Sequence, residues 1–202
     1  MLCALCVAAA GLVAAAGCRD HSTPKRPVVS GDVRVGRITR LRSPPVRACL
    51  RRFADLRPSR GTLVVERHGL LGDSVTIADP RSPLLYGCDF AGRGSRSRVC
   101  GASVGMWRHR RLNDPRLDIL CADEKGRRLG AAWVVPLRRA RSIAVRDGDL
   151  TERYPVAGEL PVRIWTREGV DVGRSSATFD VTQLAADESE LRHERLLAMV
   201  AG

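Results

Sequence analysis

Along residues 43–181 the spacing of apolar positions changes once, from three or four to two. That change separates one short helix from a long succession of strands. Ser43-Pro44-Pro45 reads as a helix start, with a hydroxyl placed to cap the first turn and prolines where a missing N–H costs nothing. Val46, Cys49, Leu50, Phe53 and Leu56 then recur on one face, with Arg47, Arg51, Arg52 and Arg57 on the other, and Pro58 ends the run. The spacing predicts one amphipathic helix that carries a cysteine on its apolar side. Beyond it, β-branched and alternating runs predict strands over 62–66, 74–77, 84–90, 117–121, 131–135, 142–145, 153–156, 160–165 and 176–181. Glycine, proline and aspartate punctuate them at roughly 8- to 15-residue intervals, the rhythm of a sandwich. The tail at 187–200 fits either a terminal helix or a strand entered through Ala186-Asp187-Glu188-Ser189. The fold class expected is mainly β, antiparallel and sandwich-like, with one N-terminal amphipathic helix; α+β is the alternative. The stretch 64–77 also echoes 163–179, which fits two related β-units or two generic hairpins.

The N-terminus follows a different rule. Residues 1–17 hold no charged side chain and close as Val13-Ala14-Ala15-Ala16-Gly17 before Cys18-Arg19-Asp20. An apolar run this short is an export signal rather than a bilayer span, which needs about 20 residues. Small residues followed by a cysteine resemble the cleavage box of bacterial lipoproteins, and the chain resembles exported lipoproteins of high-GC bacteria. That resemblance implies removal of residues 1–17, lipid on Cys18, and residence on the extracytoplasmic face of the cell membrane. A conventional secreted protein is the alternative. Residues 18–42, with Pro24, Pro27, Gly31 and Gly36, read as a basic flexible tether. Residues 43–136 then form a disulfide-stapled region of helix and strands. Residues 137–202 form a β-rich C-terminal region that either continues the same domain or makes a second one.

Export changes what the cysteines mean. Cys3 and Cys6 leave with the signal and Cys18 takes lipid, so Cys49, Cys88, Cys100 and Cys121 remain, an even number that reads as two disulfides. Three connectivities are open. Cys88–Cys100 would close the Gly/Arg/Ser-rich stretch 91–98, leaving Cys49–Cys121 to tie helix to strand. Without C-x-x-C or a histidine at ligand spacing, no zinc site is expected.

Of 34 basic residues only Lys25 and Lys125 are lysines, a bias typical of GC-rich coding. The net charge is +12, and residues 19–60 supply +9 of it. Beside an anionic surface each basic residue is worth roughly 1 kcal/mol. Arg34, Arg37, Arg40, Arg42, Arg47 and Arg51 are therefore candidates to contact anionic lipid or acidic envelope polymers. Nucleic acid is not the expected partner of an exported anchor without a cluster of stacking aromatics.

One motif suggests catalysis. Gly101-Ala102-Ser103-Val104-Gly105 fits the nucleophile elbow G-x-S-x-G, and Asp114 or Asp118 and then His193 follow in the order of a hydrolase triad. An elbow, however, needs an apolar strand before the serine and a helix after it, whereas 93–98 is rich in arginine, serine and glycine. His68, His109 and His193 each lack a second ligand at short spacing, and no metal or cofactor motif is found. The sequence thus points to a non-catalytic binding or structural module at the envelope. Its alternatives are a small serine hydrolase built on Ser103 and a binder of anionic polymers or lipids.

Overall fold

A computed structural model describes residues 28–41, 43–70, 72–91, 98–106, 118–122 and 125–200. The signal segment, Cys18, Arg42, Asp114 and the stretch 92–97 lie outside them. In chain order the elements are β1 (Val28–Ser30), β2 (Asp32–Arg37), α1 (Pro44–Leu50), β3 (Leu63–His68), β4 (Asp73–Ala78), β5 (Leu84–Ala91), β6 (Arg98–Met106) and β7 (Asp118–Ala122). There follow β8 (Arg128–Val134), β9 (Ser142–Asp147), β10 (Leu150–Pro155), β11 (Val162–Thr166), β12 (Val170–Asp171), β13 (Ser176–Leu184) and β14 (Glu190–Met199). The protein is mainly β, and its pairings are antiparallel except for β1 beside β10.

Three sheets form. A meander orders β2-β3-β4-β5-β6, a small sheet orders β11-β8-β7, and a six-stranded sheet orders β1-β10-β9-β13-β12 with β14 on the other side of β13. Strand parity stacks them. On β8 and β11, Ala132, Val134, Val162 and Ile164 face Ile143, Val145, Phe179 and Val181 of the six-stranded sheet. Trp133, one residue out of phase, packs instead on Val65, Ala78 and Leu85 of the meander. The small sheet is therefore the middle layer, covered on both faces, which is why β11 is buried at every position. On the far side of the meander, Val46 and Cys49 of α1 meet Val64, Ile77, Cys88 and Phe90. The middle layer draws β7 and β8 from one side of residue 136 and β11 from the other.

Glycines make room for this stacking. A Cβ at Gly87 would lie 2.6 Å from Trp133 Cζ2, and one at Gly105 would lie 3.1 Å from its Nε1. The Trp133 indole thus lies across β5 and β6 on bare backbone. Gly105 of the G-x-S-x-G match serves packing within a strand, because 98–106 pairs along β5 and makes no sharp turn into a helix.

Ser43 caps α1 as its sequence predicts, its hydroxyl accepting from Val46 N–H at 3.3 Å. The helix ends at Leu50, earlier than the apolar spacing through Leu56 implies. Turns carry the chain onward, and Phe53 stacks edge-on against Tyr86 with centroids 5.0 Å apart. Residues 28–37, expected as flexible tether, are strands β1 and β2. Gly31 sits between them, its N–H donating to Arg153 O at 3.1 Å, as the chain passes from one sheet to another. The tail resolves as β14, paired along the whole of β13. The 64–77 and 163–179 echo is not a structural repeat: β3 and β4 form a hairpin, whereas β11 and β13 belong to different sheets.

The disulfide pairing needs correction. Cys49 bonds Cys88, with Cα atoms 5.6 Å apart, so both Cys88–Cys100 and Cys49–Cys121 are excluded. A bulge explains it: Gly101 pairs Asp89 and Val99 pairs Phe90, which leaves Cys100 as the extra residue. Cys88 looks toward α1, while Cys100 packs with Leu129, Ala131 and Trp165 on the opposite face. Cys100 is also disulfide-bonded, and the side chain of Cys121 lies outside the described residues.

Candidate functional site

A cleft opens where the β1–β2 crossing, the end of the β3–β4 hairpin and β10 converge. Its outer part is an open basin of about 410 Å³, bounded by residues 29–31, His68, Gly69, Leu70 and Asp73. Gly31, His68 and Gly69 also wall an inner recess with room for about 10 Å³, a single water-sized group.

The hairpin end is built for this approach. His68 and Asp73 are the last cross-strand pair, with Nδ1 3.1 Å from Asp73 Oδ1. On its other side His68 Nε2 lies 3.8 Å from Glu66 Oε1, which accepts the Ser43 hydroxyl at 2.8 Å. Glu152 reaches over from β10: its Oε1 accepts Leu70 N–H at 2.8 Å and its Oε2 accepts the Tyr154 hydroxyl at 3.0 Å. Any side chain at Gly69 would collide with that carboxylate, and one at Gly72 would strike Phe90 O and the Trp165 ring. Burial raises the Glu152 carboxyl above the ordinary range, against the opposing pull of the Leu70 and Tyr154 hydrogen bonds.

Arg67 faces the recess from β3, between Val33 and Ser74 in the strand register. It is only 3 % exposed, yet Nε, Nη1 and Nη2 find no hydrogen-bond partner among the described residues. Burial pushes its guanidinium down to about 10, opposed by the nearby Tyr154.

Arg163 of the middle sheet is as dry, at 1 % exposure, and wholly engaged. Its Nε and Nη2 donate to the Asp89 oxygens at 3.2 and 2.7 Å, and Nη1 donates to Asp118 Oδ2 at 2.6 Å. The Trp165 indole N–H adds a third bond to Asp89 at 2.9 Å, and the guanidinium lies 5.1 Å over the Trp133 ring. Burial pulls the Arg163 pKa down, but Asp89 and then Asp118 outweigh it and raise the guanidinium above its ordinary value. Asp118, an acid that chain order offers to a triad, is thus committed to Arg163 within the small sheet, while Asp89 ties that sheet to the meander.

The other candidates are scattered. Ser103 pairs with Gly87 inside β6, and its hydroxyl is buried without a hydrogen-bond partner among the described residues. His193 lies on β14, where Nε2 sits 2.7 Å from Asp180 Oδ1, an acid that raises its pKa. The middle sheet separates the sheets that carry Ser103 and His193, and Asp114 lies outside the described residues. Arg37 and Arg40 join Arg60 around a shallow basin beside Val35 and Leu41, while Arg34 stands 3.8 Å from Asp32. Arg47 on α1 and Arg51 at its C-cap are exposed. Among the described residues no three His, Cys, Asp or Glu side chains gather to hold a metal ion. No described helix is long and apolar enough to cross a membrane.

Sequence reasoning passed over Arg67 and Glu152, and set His68 aside for want of a second ligand at short spacing. One signal was present: Glu66-Arg67-His68 continues the β-branched run Val64-Val65, so it sets charged groups in a strand that continues a core strand. Comparison with protein-family models, with curated proteins and with solved structures finds no match.

Proposed function

We propose that this chain is an exported, lipid-anchored envelope protein whose layered β body is a non-catalytic binding module. The observation that carries the reading is the contrast between two buried arginines. Arg163 is saturated by the protein's own carboxylates, whereas Arg67 lines an accessible cleft with its donors unused. Most buried polar groups are satisfied, and a buried guanidinium with all three nitrogens unpartnered beside a cleft points to a ligand. The Cys49–Cys88 bridge supports maturation where thiols oxidise, and small residues before Cys18 support a lipid anchor there.

Two measurements test the anchored, exported part. Expressed in a bacterium that lipidates its exported proteins, wild type should incorporate labelled palmitate and sediment with membranes, whereas Cys18→Ser should do neither. Thiol titration of the unreduced mature protein should find none free. A Cys18→Ser protein that stays with membranes, or a wild type with reactive thiols, overturns it.

A second reading has its own support. The exposed Arg37, Arg40, Arg51 and Arg60 present cationic surface along β2 and α1, next in sequence to the segment that would carry the lipid. They fit contact with anionic headgroups or acidic polymers. Vesicles containing anionic lipid should bind a Cys18→Ser protein in low salt and release it as salt rises. Substituting Arg37, Arg40 and Arg60 by glutamine should weaken that binding, and unchanged binding would dismiss this reading.

A further inference from the structure

The inner recess holds an unusual object: a positively charged group taken out of water and given nothing in exchange. Glu152, the carboxylate that shares the recess, does not supply the missing partner. Both its oxygens are already occupied, by Leu70 N–H and by the Tyr154 hydroxyl. A water molecule there would accept at most two hydrogen bonds and, being neutral, leave the charge of Arg67 unbalanced. We propose that the recess over Arg67 is a subsite for the carboxylate of a small organic acid, whose aliphatic part lies in the outer basin. The proposal rests on the binding-module reading and adds the chemical class of the ligand.

Three features select that class. The recess admits one water-sized group, which suits a single carboxylate oxygen. Charge agrees: the Glu152 carboxyl in the recess and Asp73 in the basin oppose a second negative charge on the ligand. Geometry agrees as well, since one carboxylate oxygen can take a charge-assisted hydrogen bond from the guanidinium while the rest of the ligand stays in the outer basin. Outside the recess, Val29 and the exposed Leu70 offer apolar contact. Each methylene they cover should tighten binding about fourfold.

The test uses the full chain in detergent and reads the arginine Nε–Hε NMR signals, with the Arg67 peak assigned by its loss in Arg67→Met. Sodium acetate, sodium butyrate, sodium chloride and sodium phosphate are titrated separately at matched ionic strength. The Arg67 peak should shift saturably with acetate and at several-fold lower concentration with butyrate. It should not respond saturably to phosphate, and chloride should act only weakly. Leu70→Glu, an exposed substitution that keeps Arg67, should weaken butyrate at least tenfold without lowering the melting temperature. A peak that ignores both carboxylates, or that follows chloride as well as acetate, overturns the proposal. So does a Leu70→Glu protein that binds butyrate like wild type. None of these outcomes touches the palmitate and fractionation results, so failure here is distinct from failure of the anchored-module reading.

Discussion

Replacing Asp89 by asparagine is the most demanding test of how the layers are held. Asp89 is fully buried and accepts three hydrogen bonds, two from Arg163 and one from Trp165 Nε1. Asparagine keeps the shape, removes the charge, and puts an N–H₂ where one of these donors points. Arg163 is then left in a dry layer with Asp118 as its remaining carboxylate. Breaking one side of a buried pair costs about 3–5 kcal/mol. Against a total stability of roughly 5–15 kcal/mol, that is a large share. Asp118 is partly exposed and keeps its bond to Nη1, which places the expectation near the lower end of the range. Urea denaturation with disulfides intact should show a lower midpoint at unchanged slope, and calorimetry a melting temperature lower by about 6–20 °C. The control is the double variant Asp89→Leu with Arg163→Met, which removes both charges. It should recover most of the loss, since matched apolar replacements of a buried pair are often neutral. A loss below about 1 kcal/mol in Asp89→Asn, or a double variant as unstable as the two single losses added, would refute the reasoning.

Three further outcomes are expected. Converting Cys49 and Cys88 together to alanine opens a loop with a sequence separation of 39, which on chain-entropy grounds costs about 4 kcal/mol, read by urea denaturation; an unchanged midpoint would contradict it. Gly87→Ala presses a methyl into Trp133 and should cost about 1–3 kcal/mol while altering the near-ultraviolet circular dichroism of the indole; a neutral result would mean that the ring is not lodged there. Asp79 is held well below the usual carboxylate range, first by its hydrogen bond to the Arg81 side chain and further by Arg81 N–H and Thr62. A depressed carboxyl stabilises the folded state above its unfolded pKa and stops doing so as pH falls toward the folded one. The stability gap between wild type and Asp79→Asn should therefore be full at pH 6 and shrink below about pH 4; a gap constant across that range would show that the charge plays no part.

The strands that reading the chain locates are those whose own residues carry the reason for them. Leu63–His68 and Ser142–Asp147 are β-branched runs between turn residues, and they pair as strands whatever lies above them. β6 escaped notice because its glycines answer to Trp133, a residue of another sheet that arrives later in the chain. β1 and β2 escaped because Gly31 and Gly36 interrupt their alternation. Gly31 is small because the His68 carbonyl passes 2.9 Å from where its Cβ would sit. The cysteine pairing turned on one bulged residue that reverses which face Cys100 uses, and no spacing rule reveals a bulge. The cleft was harder still. Arg67 and Glu152 are 85 positions apart, and what marks Arg67 out is a bond it does not make. A pattern of residue types cannot register an absence that tertiary burial creates.

Because the central layer comes from residues 118–166, later in the chain than the meander it covers, its assembly has a timetable. The meander with its helix can collapse once about the first hundred residues have emerged, but it then displays Val65, Leu85 and their neighbours to solvent. Trp133 and β11 reach them only after residue 166 has been delivered. During that interval the nascent chain carries a bare sticky surface and an open strand edge, both invitations to clump. Synthesis one residue at a time therefore leaves the inner face of the meander open to other chains until β11 arrives. Shortening the wait, rather than strengthening any one bond, is the route by which its yield would improve.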